Sequence, residues 1–435
     1  MRGFFCYIAI QMRIGITSLY FFLLLLLLYL PNFSVIDNKA AQNLYLSIIN
    51  SGFFLAILFK QKKHEYNLFK NPLILSFGSF LIIAILSTFV ALNKIESLVR
   101  LTDISLVFIT LCLVIYLLKN YPIKTETILF IVFGSVVLDV FNSLYVYIEI
   151  ESDGDFGFLI ADELRGFWGN KNILSVSLAI RTSILLILLH RIKSILLKFF
   201  VFLIATCSFY VMLLLSSRAV FLSILLTVMF AVILIIIKKQ FFQQSTKKDL
   251  KGLVLYLLPI ILSFIFFRGL VNQDDGISIE NRASTIINSK EDRSISERLR
   301  FYSQSISYIK NRPLFGYGIG NWRIYSIEAD SKQMASYIVP YFAHNDFLEV
   351  FVETGILGFL SYLAFFFFVF KMCFKRILMW IKNKANFETL LISFGVIFYF
   401  IDQNLNFPLD RTAMQIILIV LISVIINITN ESKKA

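Results

Sequence analysis

The chain has 435 residues, 58% of them hydrophobic and only 16% charged. A water-exposed domain carries roughly 25% charged residues, so a soluble globular fold is excluded. The formal net charge of +13 sits mainly in short loops between apolar runs, which is the distribution of a topology signal and not of a nucleic-acid surface.

In chain order the apolar runs predict an all-α polytopic membrane protein with about twelve transmembrane helices. They fall at approximately 14–32, 41–59, 72–92, 102–118, 125–148, 172–190, 195–215, 218–237, 252–270, 347–370, 387–403 and 412–428. The first run follows Arg2 and Arg13 and has no small-residue cleavage site after Pro31, so it reads as an uncleaved signal-anchor. Cys6, Cys112, Cys207 and Cys373 lie in or beside apolar runs, which argues against a disulfide or a cysteine-metal site; no metal and no cofactor is expected.

The loops alternate in charge. One set carries Lys60, Lys62, Lys63, Lys70, Lys119, Lys124, Arg191, Lys193, Lys198, Lys238, Lys239, Lys247, Lys248 and Lys251, then Lys371, Lys375, Arg376, Lys382 and Lys384. By the positive-inside rule this set and both termini are cytoplasmic. The opposite set carries Glu149, Glu151, Asp153, Asp155, Asp162 and Glu163 and the long 271–346 segment, and faces outward. No nucleotide pool exists on that face, so chemistry that consumes ATP or nucleotide sugars is disfavoured. The expected organisation is helices 1–9 over residues 1–270, an outer loop over 271–346, and helices 10–12 with the tail over 347–435, all one membrane domain.

A loop of this length calls for structure of its own. Ser294 and Glu297 form a capping box, and Leu299, Tyr302, Ile306 and Ile309 recur at helical spacing, which predicts an amphipathic helix on the membrane surface ending near Pro313. Gly316, Gly318 and Gly320 follow; without a P-loop Lys-Ser/Thr they read better as a turn than as a phosphate cradle. His344 stands just before the tenth apolar run and is the one histidine assigned outward, His64 and His190 being in inner loops. A helix N-terminus keeps imidazole neutral, as a general base requires, and the alternative is a helix cap. Arg218 opens the eighth run and reads either as an interfacial anchor or, with Arg298 and Arg300, as a diphosphate clamp. Arg181 and Asp139 lie deep in neighbouring runs, either as a buried ion pair or as lining for a substrate path.

These residues resemble the O-antigen ligase/polymerase family of membrane glycosyltransferases over roughly residues 165–370. The resemblance is carried by Arg165–Asn172, Ser216–Ala219, Ser296–Tyr302, Asn311–Trp322 and Ala343–Gly358. It implies transfer of a glycan from an undecaprenyl-diphosphate carrier to a glycan or lipid A-core acceptor in the outer leaflet of the bacterial inner membrane, with inversion and without metal or nucleotide. It implies His344 as base and Arg218 and Arg298 as diphosphate ligands. Arg298 is preferred to Arg300 because it stands four residues before an aromatic, Tyr302. Arg300, Asn345, Asn170, Asn172, Arg165 and Arg181 are the implied substrate-binding set. Lys171 departs from the proline many members carry there. A twelve-span flippase or transporter is the rival reading, for which the sequence shows no internal repeat.

Overall fold

The computed structural model describes residues 15–31, 39–59, 68–153, 160–270, 293–331 and 341–434. Arg2, Cys6, Arg13, Lys60, Lys62, Lys63, His64, Asp155 and the stretch 271–292, all invoked for topology, lie outside these. The described residues are helical, with no strand among them. The helices used below are α1 (Ile16–Leu26), α2 (Lys39–Phe59), α3 (Pro72–Ser87), α4 (Lys94–Asn120), α5 (Thr125–Asp153), α6 (Lys171–Leu185) and α7 (Ile195–Leu215). They continue with α8 (Arg218–Gln240), α9 (Lys247–Leu270), α10 (Arg293–Asn311), α11 (Trp322–Asp330), α12 (Asp346–Ile381), α13 (Glu388–Leu405) and α14 (Thr412–Lys434).

Among the described residues ten helices are long and apolar enough to cross a membrane. The two remaining expected spans coincide with the short apolar stretch Ile16–Tyr29 and with α13, whose Asp402, Gln403 and Asn404 dilute its hydropathy. The chain is therefore an all-α multi-pass membrane protein. At its centre lie the α6 stretch and α14, whose apolar windows are 94% and 89% buried by their neighbours. In lipid, helices associate through close backbone approach and interhelical hydrogen bonds. In α6, Ser175, Ser177, Thr182 and Ser183 are all buried, and the Thr182 hydroxyl meets Ser208 of α7 at 2.7 Å.

Charged contacts sort the helix ends into two groups. At one end Arg191 pairs with Glu126 (3.0 Å), Glu388 (2.8 Å) and Glu431 (2.9 Å), while Lys238 pairs with Asp249 (2.8 Å). Thr17, in the first turn of α1, donates to the Tyr121 carbonyl at this end (2.6 Å). At the other end Lys39 pairs with Asp103 (2.6 Å) and Asp410 (2.8 Å), and the Asn93 amide donates to Asn321 (2.8 Å). The alternating loop sets thus gather at opposite ends.

Two expected boundaries move. The fourth span begins at Lys94 and not at 102, because Asn93 caps α4 by accepting from the Ile95 and Glu96 amides (3.0 and 3.2 Å). Arg100, outside the expected span, and Asp103, at its edge, are buried and paired with Asp410 and Lys39. The tenth span runs on to Ile381 but is broken at Gly355, where φ is +67° and ψ −169°. The break frees two carbonyls and an amide of α12 that residues 313–318 take up. Tyr317 N donates to Val352 O (2.9 Å), Gly318 N to Glu353 O (2.8 Å), and Ile356 N to Pro313 O (2.8 Å). A Cβ on Gly355 would stand 2.2 Å from the Leu314 carbonyl oxygen, so only glycine fits. Gly355→Ala is expected to lower stability by about 2 kcal/mol or more. Gly52→Ala in α2, where a Cβ meets nothing within 4 Å, should cause no loss; thermal unfolding of the solubilised protein compares the two.

The expected amphipathic helix forms, as α10, beginning at Arg293, one residue before Ser294. Leu299 and Ile306 of its apolar stripe remain 62% and 46% exposed. A neighbouring face, Phe301 and Ser305, is buried, and α10 packs against α11 and α12.

Candidate active site at the His344 end

His344 precedes α12 with φ +55°, a left-handed backbone sparsely populated by residues with a Cβ. Its neighbours hold that conformation. The Ala343 amide donates to Glu349 (2.9 Å), and the Asn345 side chain caps α12 by accepting from the Leu348 amide (3.0 Å). The Tyr302 hydroxyl of α10 lies 3.0 Å from the His344 carbonyl and 2.8 Å from that of Asn404, joining three elements. The helix cap, the alternative reading of His344, is supplied by Asn345. That ring is flanked by Phe301 (6.4 Å, nearly parallel) and Phe407 (5.3 Å, edge-on). Its Nδ1 is buried without a hydrogen-bond partner. Burial first, and the positive charge of Arg298 second, push its pKa down to about 4. The ring is neutral at pH 7 as expected, through these two causes.

Arg298 sits one turn before Tyr302 on α10, and its charge acts on His344, Tyr302 and Asp402. Arg300 is engaged elsewhere. Its Nη2 donates to Asp330 Oδ2 (2.9 Å) and its Nε stands 2.7 Å from Oδ1, so it braces α10 against α11. Arg218 is the first residue of α8, half-buried after a left-handed Ser216 and a buried Ser217. Lys238, near the other end of α8, lies over the ring of Trp380 (4.3 Å) at the end of α12 far from His344, so Arg218 belongs to the His344 end of the bundle.

The Arg165–Asn172 stretch forms a second polar station. Asn170 caps α6 through the Asn172 amide (2.9 Å), and Asn172 is half-buried in the first turn. Arg165 is exposed and reaches the Gly169 carbonyl (3.5 Å). The ion pair expected between Arg181 and Asp139 is present and buried. Arg181 also donates to Tyr29 and Ser135 (3.2 Å each), and Trp168 donates to Asp139 (3.1 Å).

The glycine run makes a turn. The Trp322 amide donates to Glu353 Oε1 (2.9 Å), and Gly320 N is bonded to the same carboxylate, so these groups are spent on the protein. Sequence reasoning missed what this reveals. Asp346, Glu349 and Glu353 form a buried acidic ladder on one face of α12, faced by Arg100 of α4. Their i, i+3, i+7 spacing at the mouth of an apolar span was the available signal. Arg100 also pairs with Asp410. Burial alone would raise that carboxyl, but Arg100 and Lys39 outweigh it and hold it below the usual range. Among the described residues no group of three or more His, Cys, Asp or Glu side chains is placed to hold a metal.

Fold and site together define a polytopic helical membrane protein with a neutral histidine beside Arg298 at one end of the bundle. Residues 199–363 match the family model described as O-Antigen ligase. The match bears out the resemblance over the stretch that holds Arg218, Arg298 and His344, and it implies a glycosyltransferase-like enzyme of the ligase or polymerase type. The Arg165–Asn172 loop lies outside it. No curated protein matches the chain at a significant level.

Proposed function

We propose that the protein transfers a glycan from undecaprenyl diphosphate to an acceptor hydroxyl at the outer face of the bacterial inner membrane. Both termini are then cytoplasmic and the His344 end is periplasmic. His344 removes the acceptor proton as the new glycosidic bond forms. The bond from the anomeric carbon to the diphosphate oxygen breaks, and Arg218 and Arg298 hold the departing diphosphate. The single observation behind this reading is a neutral, half-buried imidazole beside Arg298. A pKa of about 4 would make a weak base. A bound diphosphate cancels the field of Arg298 and so raises the basicity of His344 when the acceptor is in place.

The test is reconstitution of the purified protein with a lipid-linked repeat unit and candidate acceptors, followed by electrophoresis. A ladder without lipid A-core identifies a polymerase, and one new band dependent on lipid A-core identifies a ligase. Movement of the donor across the bilayer without a new bond would overturn the proposal in favour of a flippase. Orientation is tested separately with Ser307→Cys, which lies exposed on α10. It should react with a membrane-impermeant thiol reagent in intact spheroplasts, and reaction only after lysis would reverse the topology.

A further inference from the structure

Beside His344, and apart from Arg298, the structure holds a cleft of about 660 Å³ between Lys39, Asp103, Arg323, Tyr341, Asp410 and Arg411. This is within the range of small-molecule sites, roughly 300–1,000 Å³. Its inner wall is aromatic: Phe342 lines it, stacked on Phe407 at 4.0 Å, and Phe407 meets the His344 ring edge-on. The other ring beside His344 is Phe301, which shares α10 with Arg298. The imidazole is therefore flanked by one aromatic from the arginine-bearing helix and by one, Phe407, that stacks on Phe342 of the cleft wall. A group that takes a proton from one substrate while another departs needs that placement.

The lining selects a ligand class. Three cations and two carboxylates interleave, with Lys39 bridging Asp103 and Asp410, and Arg323 set between Glu96 (3.2 Å) and Asp410 (3.8 Å). Lys39 and Arg323 are already held by Asp103, Asp410 and Glu96 and so are not offered to a diphosphate, and an acyl chain would strip water from every charge without replacing it. A sugar suits both sets, since each hydroxyl both donates and accepts, and its C–H face covers an aromatic ring. Tyr341 supplies such a ring, 54% exposed, with the Arg323 guanidinium 5.8 Å from its centre. We infer that this cleft is the subsite for the acceptor's sugar residues, placing the hydroxyl to be glycosylated beside His344. The inference rests on the transferase reading above.

The experiment compares the full-length protein with Tyr341→Ala and Tyr341→Phe in nanodiscs. Initial rates are taken with varied acceptor at saturating lipid-linked donor and with varied donor at saturating acceptor, and binding of the lipid-free oligosaccharide of whichever acceptor supports transfer, core or repeat unit (both, where neither does), is measured by saturation-transfer NMR. Tyr341→Ala should raise the acceptor KM on the order of tenfold while kcat and the donor KM hold. It should also lose the NMR signal, which Tyr341→Phe and His344→Asn retain. An unchanged thermal midpoint establishes that the exposed ring was not needed for folding. Transfer with a wild-type acceptor KM in Tyr341→Ala would overturn the cleft alone, as would a change confined to the donor KM. Tyr341-dependent oligosaccharide binding without any transfer would sink the transferase reading and leave the sugar site standing.

Discussion

His344→Ala is expected to lower the rate of glycan transfer by about 10²–10⁴-fold, the usual contribution of a positioned general base. Its Nδ1 accepts no hydrogen bond, so truncation leaves no protein donor stranded. The cost in stability is a small cavity between Phe301 and Phe407 together with the strain of alanine at φ +55°. Asparagine tolerates that backbone better, so His344→Asn separates loss of the base from loss of the local fold. Both variants should bind lipid-linked donor with wild-type affinity and accumulate no product. Substantial transfer by a folded His344→Asn protein would remove the imidazole from the mechanism. The acid limb of kcat/KM carries a second signature. The free-enzyme base is neutral above its pKa of about 4, so activity should stay level from pH 7 to below pH 6 and fall only as pH approaches 4.

The membrane architecture was legible because hydrocarbon enforces it. A stretch crossing the bilayer must be apolar over a fixed length, and the charges left between such stretches alternate between the two ends of the bundle. The start of α10 near Ser294 and the deep Arg181–Asp139 pair were legible for similar reasons: each is a local pattern or a single costly charge seeking its opposite. Lys39, Arg100 and Asp410 were not, since they come from α2, α4 and the turn before α14, and no spacing along the chain announces that they meet. Hydropathy read Arg100 and Asp103 as the edge of a span, when pairing allowed the helix to carry them inside. The glycine run was read correctly as a turn, but its partner, the break at Gly355, was hidden within an apolar run. Such a break shows itself only when another segment takes up the freed carbonyls.

Arg298→Ala is expected to reduce transfer by about 10²–10³-fold, the scale on which one preorganised donor to a developing anion acts. It should also change the pH profile in a way that loss of binding alone would not. Arg298 is the second cause of the depressed His344 pKa, and burial, the first, survives the substitution. The pKa therefore rises from about 4 part of the way toward 6.5, and the acid limb of kcat/KM moves to higher pH. Arg298→Lys keeps the positive charge but cannot make paired contacts to a diphosphate, so it should lose most of the rate while leaving the acid limb in place. Arg300→Ala supplies the contrast. Its guanidinium is held by Asp330, so its removal should loosen α10 against α11 and lower the thermal midpoint without moving the limb. An acid limb that stays fixed in Arg298→Ala would mean that its charge does not reach the imidazole. A limb that moves equally in Arg300→Ala would trace the shift to displacement of α10, because that variant leaves the Arg298 charge intact.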